Sequence, residues 1–200
     1  PEIFLLAVAG TETTASLLPW PLYELADNPD MEAGVLAELD EVLGERPVTF
    51  EDMMRLPYLD RVITETLRLH HPGWLVTRRT TEETRLGEWT LPAGTELAYC
   101  QHAMHRDPER FPDPLTFDPD RWTDAAQEPP PGAFVPFGDG KHKCMGDRFS
   151  LTEMVTALAT MLRSVRLELP EGQVIRQTAR LTVRPRNLRM TVHPRTGVGR

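Results

Sequence analysis

Apolar positions recur at helical spacing over four stretches of the chain and alternate at strand spacing over shorter ones. Residues 2–18 read as a helix with an apolar face, interrupted by the polar run Gly10-Thr11-Glu12-Thr13-Thr14. Pro19 and Pro21 fall where that helix would continue, and each is expected to kink or end it. A second helix is predicted over 30–43, between Pro29 and Gly44, and Thr49 is placed to cap a short helix at 50–55. A third spans 58–69 and is closed by His71-Pro72. The period then shortens, giving strands at 75–80, 84–86, 89–91 and 95–99, with Pro92-Ala93-Gly94 as a turn. Residues 107–136 are proline-rich and aperiodic, and read as a long ordered coil, which is uncommon unless it serves a function. A helix over 146–162 precedes strands at 165–169, 179–184 and 189–193. Helices come first and small sheets later, so the fold class is mainly α with small β-sheets, an α+β mixture rather than alternating βαβ units.

Two hundred residues, 40% of them hydrophobic, suit one domain with a core of its own. No apolar run reaches the length of a membrane span, so no membrane segment is expected in the chain. Ile3 to Ala9 is short and lacks a basic flank, unlike a signal peptide. The chain opens at Pro1 inside a helical pattern, and a fragment is expected. A net charge of −8 argues against a general nucleic-acid binder. Cys100 and Cys144 form neither a zinc spacing nor a disulfide framework, so a reducing, cytoplasmic setting is expected.

Cys144 lies in the run Phe137-Gly138-Asp139-Gly140-Lys141-His142-Lys143-Cys144-Met145-Gly146, just ahead of a predicted helix. The positive end of a helix dipole favours a thiolate there. Lys141 and Lys143, the two lysines of the chain, flank it, with Arg148 close behind. Glycines at 138, 140 and 146 allow close approach of backbone to a flat ligand. A thiolate so placed is a suitable axial ligand for haem iron. The pattern aromatic-Gly-x-Gly-x-His-x-Cys-x-Gly resembles the haem-binding signature of the cytochrome P450 family.

Three further segments follow the family's order. Ala9-Gly10-Thr11-Glu12-Thr13-Thr14 resembles the family's oxygen-activation segment, in which small residues admit a ligand and an acid and a hydroxyl handle protons. Glu65-Thr66-Leu67-Arg68 is an i,i+3 pair in apolar surroundings, and a buried guanidinium needs more acceptors than one carboxylate offers. Phe117-Asp118-Pro119-Asp120-Arg121-Trp122 looks like the family's meander motif, whose arginine completes a Glu-Arg-Arg triad. Pro108-Glu109-Arg110-Phe111 carries the same letters in short form but lies too far from the cysteine loop, so Arg121 is preferred to Arg110.

The resemblance implies that the chain, residues 1–200, is the C-terminal, haem-binding part of a single domain of this family, without its N-terminal half. It implies haem b with an axial thiolate from Cys144, the metal ligand, and Phe137, Gly138 and Gly146 beside it. Ala9 and Gly10 are the implied ligand-facing residues of the helix, and Glu12 and Thr13 the catalytic pair. His142 and Arg78 are the implied propionate partners, with Arg79 in reserve should the register differ by one. Glu65, Arg68 and Arg121 are the implied structural triad. A monooxygenase is then expected, inserting one atom of O2 into a hydrophobic small molecule, a terpenoid by general similarity, with a ferredoxin or reductase as electron donor. The alternatives are a peroxide-using or isomerase-type member, or a non-catalytic haem-binding fragment; the piece by itself is expected to be inactive.

Overall fold

The computed structural model describes residues 2–123 and 129–195. Six helices and four two-stranded antiparallel sheets occur among them. Helix α1, Glu2–Leu17, matches the helix expected over 2–18 and runs unbroken through the polar residues 10–14. The polar run is accommodated because Thr11 and Thr13 turn their hydroxyls back onto the carbonyls of Ala7 and Ala9, each at 2.7 Å, so their polar groups are met inside the helix. Leu18 keeps helical dihedrals and donates to Thr14 O at 2.9 Å, and α2, Pro19–Asp27, follows it, begun by a proline. The missing N–H is harmless in a first turn, where it would have had no intrahelical partner.

Helices α3, Pro29–Leu43, and α4, Pro57–Leu69, pack against α6, Asp147–Ser164. Their shared core holds Val35, Leu39, Val62, Ile63, Met154 and Leu158, all inaccessible to solvent. Asp52 caps the short 3-10 helix Phe50–Arg55 by accepting from the Thr49 N–H at 2.9 Å, and Arg46 bridges the same carboxylate.

Strand β1, Val76–Arg79, pairs with β4, Glu96–Tyr99, and β2, Thr84–Leu86, with β3, Trp89–Leu91. A short helix not expected from the sequence, α5, Gln101–Met104, follows β4. Strand β5, Val165–Glu168, pairs with β8, Thr191–Pro194. The single strand expected at 179–184 is instead the turn of a hairpin, between β6, Arg176–Ala179, and β7, Val183–Arg186. Apolar-polar alternation runs through this turn, and no glycine or proline marks it.

The sheets fix the loops to the helical core. Val183 N–H donates to Pro72 O at 2.9 Å, and the Trp74 indole N–H donates to Arg180 O at 3.0 Å. The hairpin turn is thereby tied to the segment leaving α4, close to α1.

Candidate functional site

The cysteine loop is built from the backbone. Gly138 and Gly140 have φ of 70° and 63°, the left-handed region open to glycine. They enclose one tight turn, Gly140–His142, whose first N–H is met by Asp139 Oδ1 at 2.7 Å. Cys144 N–H donates to Phe137 O at 2.8 Å and closes the loop. Gly146 N–H points back to Cys144 Sγ at 3.4 Å, and α6 starts one residue later. The amide and the helix end both direct positive potential at an exposed sulfur.

Three buried side chains that the sequence did not single out hold the entrance of this loop. His105 Nε2 accepts from Val135 N–H at 3.1 Å, Gln101 Nε2 donates to Val135 O at 2.6 Å, and His71 Nε2 lies 2.6 Å from Pro136 O. Burial pushes His105 down to about 3, which leaves its ring neutral and able to accept. Burial also lowers His71, whose Nδ1 faces Gly73 O at 2.8 Å. No local pattern announces these contacts, because each partner lies 30 to 65 residues away.

Glu65 and Arg68 face one another with no exposure at all. Arg68 donates from Nε and Nη2 to the two Glu65 oxygens at 2.8 and 2.7 Å. Its remaining N–H groups reach His105 O at 2.9 Å, Pro114 O at 2.8 Å and Thr116 O at 3.1 Å. Glu65 also accepts from Asp118 N–H and from the Trp122 indole N–H, each at 3.0 Å. Arg121 lies 3.5 Å from Glu65 and donates to Pro112 O at 2.7 Å. Arg110 turns outward and pairs with Asp107 at 3.1 Å, while its neighbour Phe111 is buried beneath the Arg68 guanidinium. The structure brings Glu65, Arg68 and Arg121 together and leaves Arg110 apart.

On α1, Ala9, Glu12 and Thr13 are exposed, and a Cβ added at Gly10 would meet nothing within 4 Å. Thr13 does not hydrogen-bond Glu12; its hydroxyl proton goes to Ala9 O. Glu12 Oε1 instead accepts from Thr182 at 3.2 Å, a residue of the C-terminal hairpin turn. Thr182 was not a sequence candidate. Helices α1 and α6 meet at Thr14 and Ser150, whose hydroxyl oxygens are 3.5 Å apart.

Arg78 and Arg79 point to opposite faces of β1. Arg79 pairs with Glu96 across the sheet. Arg78 is exposed, bonds Thr77 O at 2.9 Å and stands over the Tyr99 ring. His142 is exposed on the cysteine loop. Lys143 is engaged by Asp147 at 2.7 Å, a bond that lowers the Asp147 carboxyl. Of the three basic groups around Cys144, Lys141 and Arg148 are exposed and form no ion pair among the described residues.

These residues fit a haem. Cys144 offers one soft sulfur ligand, the type suited to its iron. Arg78 and His142 offer donors without a carboxylate partner among the described residues, as two propionates need. Met145 and Phe149, 83% and 69% exposed, and the half-buried Phe137 are apolar residues close to Cys144 in sequence.

A family model for Cytochrome P450 matches residues 2–192. Cyclooctatin synthase of Streptomyces melanosporofaciens is 44% identical over 195 residues, covering 97% of this chain and 42% of that protein. Cyclooctat-9-en-7-ol 5-monooxygenase of the same organism is 46% identical over 175 residues, covering 87% of this chain and 38% of that protein. Pentalenene oxygenase of Streptomyces avermitilis is 38% identical over 98% of this chain and 44% of its own length. The solved haem domain of cytochrome P450DA superposes with a TM-score of 0.87 at 31% identity, over 96% of this chain and 43% of that one. The chain thus spans less than half the length of the relatives it matches.

Proposed function

Because the chain belongs to the cytochrome P450 family, we propose that it is the C-terminal, haem-binding portion of a haem-thiolate monooxygenase acting on a hydrophobic small molecule. The balance is RH + O2 + two electrons + two protons giving ROH + H2O, with a ferredoxin-type protein or reductase as electron donor. A terpenoid is the favoured substrate class, since relatives at 38% to 46% identity are named for pentalenene and cyclooctat-9-en-7-ol. Unpaired thiols at Cys100 and Cys144 favour a reducing, cytoplasmic location.

Haem b, when bound, would supply the oxygen chemistry, with electron donation from a thiolate ligand favouring it. The chain's own part is to hold, orient and deliver protons. Cys144 Sγ would be the iron ligand, kept in place by the Phe137 carbonyl and the Gly146 amide. His142 and Arg78 would hold the propionates. Phe137, Gly138 and Gly146 would contact the haem, and the small side chains of Ala9 and Gly10 would leave room for a ligand beside α1. Glu12 takes protons from solvent, and Thr13, by rotating its hydroxyl away from Ala9 O, orders the water that passes them on. Glu65, Arg68 and Arg121 fix the coil that precedes the loop.

The observation that carries this reading is an exposed cysteine sulfur toward which its own loop turns an amide N–H. The test is the CO-bound ferrous spectrum of the full-length, haem-loaded protein. Cys144→Ser is expected to lose the thiolate form and Cys100→Ser to keep it. The reverse result would overturn the assignment.

A further inference from the structure

We propose that Thr182 is a positioning residue for Glu12, and that with Ser16 it forms a hydroxyl pair that holds this side chain in one place whether or not it carries a proton. The proposal rests on the reading of Glu12 as the acid that feeds protons to the oxygen side.

Thr182 sits in the β6–β7 turn, 170 positions along the chain from Glu12, with its side chain buried. Its Oγ1 is 3.2 Å from Glu12 Oε1 and 2.8 Å from the buried Ser16 Oγ. Glu12 and Ser16 are four apart on α1 and share a face, so one hydroxyl from the hairpin serves both. A hydroxyl has one proton to give and lone pairs to accept with, and its hydrogen rotates freely. With Glu12 ionised, the order is Ser16 donating to Thr182 and Thr182 donating to Glu12. With Glu12 protonated, the order reverses: Glu12 donates to Thr182 and Thr182 to Ser16. Two hydrogens rotate and no heavy atom moves.

Side chains without a hydroxyl lack this property at position 182. An ammonium only donates, and an amide fixes its donor and acceptor ends. The anchor is itself immobilised. Arg180 N–H donates to Thr182 O at 3.1 Å, Val183 N–H to Pro72 O at 2.9 Å, and Trp74 to Arg180 O at 3.0 Å. The acid is therefore set by the segment leaving α4 as well as by its own helix.

The test uses the full-length, haem-loaded protein and compares Thr182→Val, Thr182→Ser, Ser16→Ala and Glu12→Gln. Two readouts are taken: product formed per reducing equivalent, and the infrared carboxyl band that disappears in Glu12→Gln. Thr182→Val is expected to lower the product ratio about tenfold, the scale of one hydrogen bond to a charged group. It should also shift and broaden the Glu12 band, leaving the CO-bound thiolate spectrum unchanged. Thr182→Ser should restore both readouts. If Thr182→Val loses the thiolate spectrum through misfolding, Ser16→Ala decides, with a smaller change in the same direction expected. An unchanged ratio and band in Thr182→Val, with Glu12→Gln uncoupled, overturns the positioning role alone. An unchanged ratio in Glu12→Gln overturns the role of Glu12 itself.

Discussion

Glu65 and Glu12 are both helix carboxylates, and their surroundings are opposite. Glu65 is wholly buried and meets two guanidinium N–H groups of Arg68, an indole N–H and a backbone N–H, with Arg121 beside it. Glu12 is exposed and meets one hydroxyl. The first carboxylate is saturated by its own chain and holds two segments together. The second keeps room for water and can exchange protons with it. Saturation suits a structural device, and incomplete saturation beside a fixed anchor fits the proton-handling role proposed for Glu12.

The comparison breaks most visibly if the saturated site proves dispensable. Glu65→Ala or Arg68→Ala removes one member of a fully buried pair and strands the other, at about 3–5 kcal/mol. Loss of stable haem incorporation is expected, measured as haem retained after gel filtration. Arg121→Ala should fall short of that, because its guanidinium is 3.5 Å from Glu65, and Arg110→Ala should be mild. A severe Arg110→Ala would reverse the choice between the two arginines.

A third carboxylate, Glu24 on α2, sharpens the contrast. It is buried, its Oε1 is 2.6 Å from His70 Nε2, and Trp20 stacks on that imidazole. Burial, with Asp27 and Glu65 adding repulsion, pushes its carboxyl up to about 8, while burial and two arginines push His70 down to about 3. A raised carboxyl favours the folded state below its own titration, so its contribution is lost as pH rises from the unfolded value of 4.5 to about 8. The lowered histidine acts oppositely below 6.5, so the Glu24 effect stands alone between 6.5 and about 8. Stability should fall there by up to ~1.4 kcal/mol per pH unit. Thermal melting across this range should show the slope in wild type and a flatter one in Glu24→Gln.

The smallest effect is expected at the surface around Cys144. Lys143 is bound to Asp147, which leaves Lys141 and Arg148 to attract an acidic electron donor. Reduction should slow about tenfold from low to high salt, and Lys141→Ala should weaken that dependence more than Lys143→Ala. Stopped-flow reduction at graded ionic strength would show the reverse ranking if the Lys143–Asp147 pair opens on docking.

Local signals located much of this. The strands at 84–86 and 89–91 follow alternation, and α4 follows its apolar stripe and proline boundaries. The Glu65–Arg68 pair was legible from its apolar neighbours. What local pattern could not supply were partners distant in sequence. Thr182 reads as a strand residue in Ala179 to Arg184, because nothing nearby shows that the chain turns there to meet α1. His71, Gln101 and His105 each look ordinary alone and acquire a role only where the Val135–Pro136 backbone passes among them.

Arg68 grips the coil through the carbonyls of His105, Pro114 and Thr116, groups that every amino acid carries. The grip consequently ignores most side-chain identities in the stretch it fastens. Descendants of this gene can exchange outward-facing letters between 107 and 116 with little consequence for the fastening, provided the prolines and turns preserve its path. A change at Glu65 or Arg68, by contrast, removes several of these bonds at once.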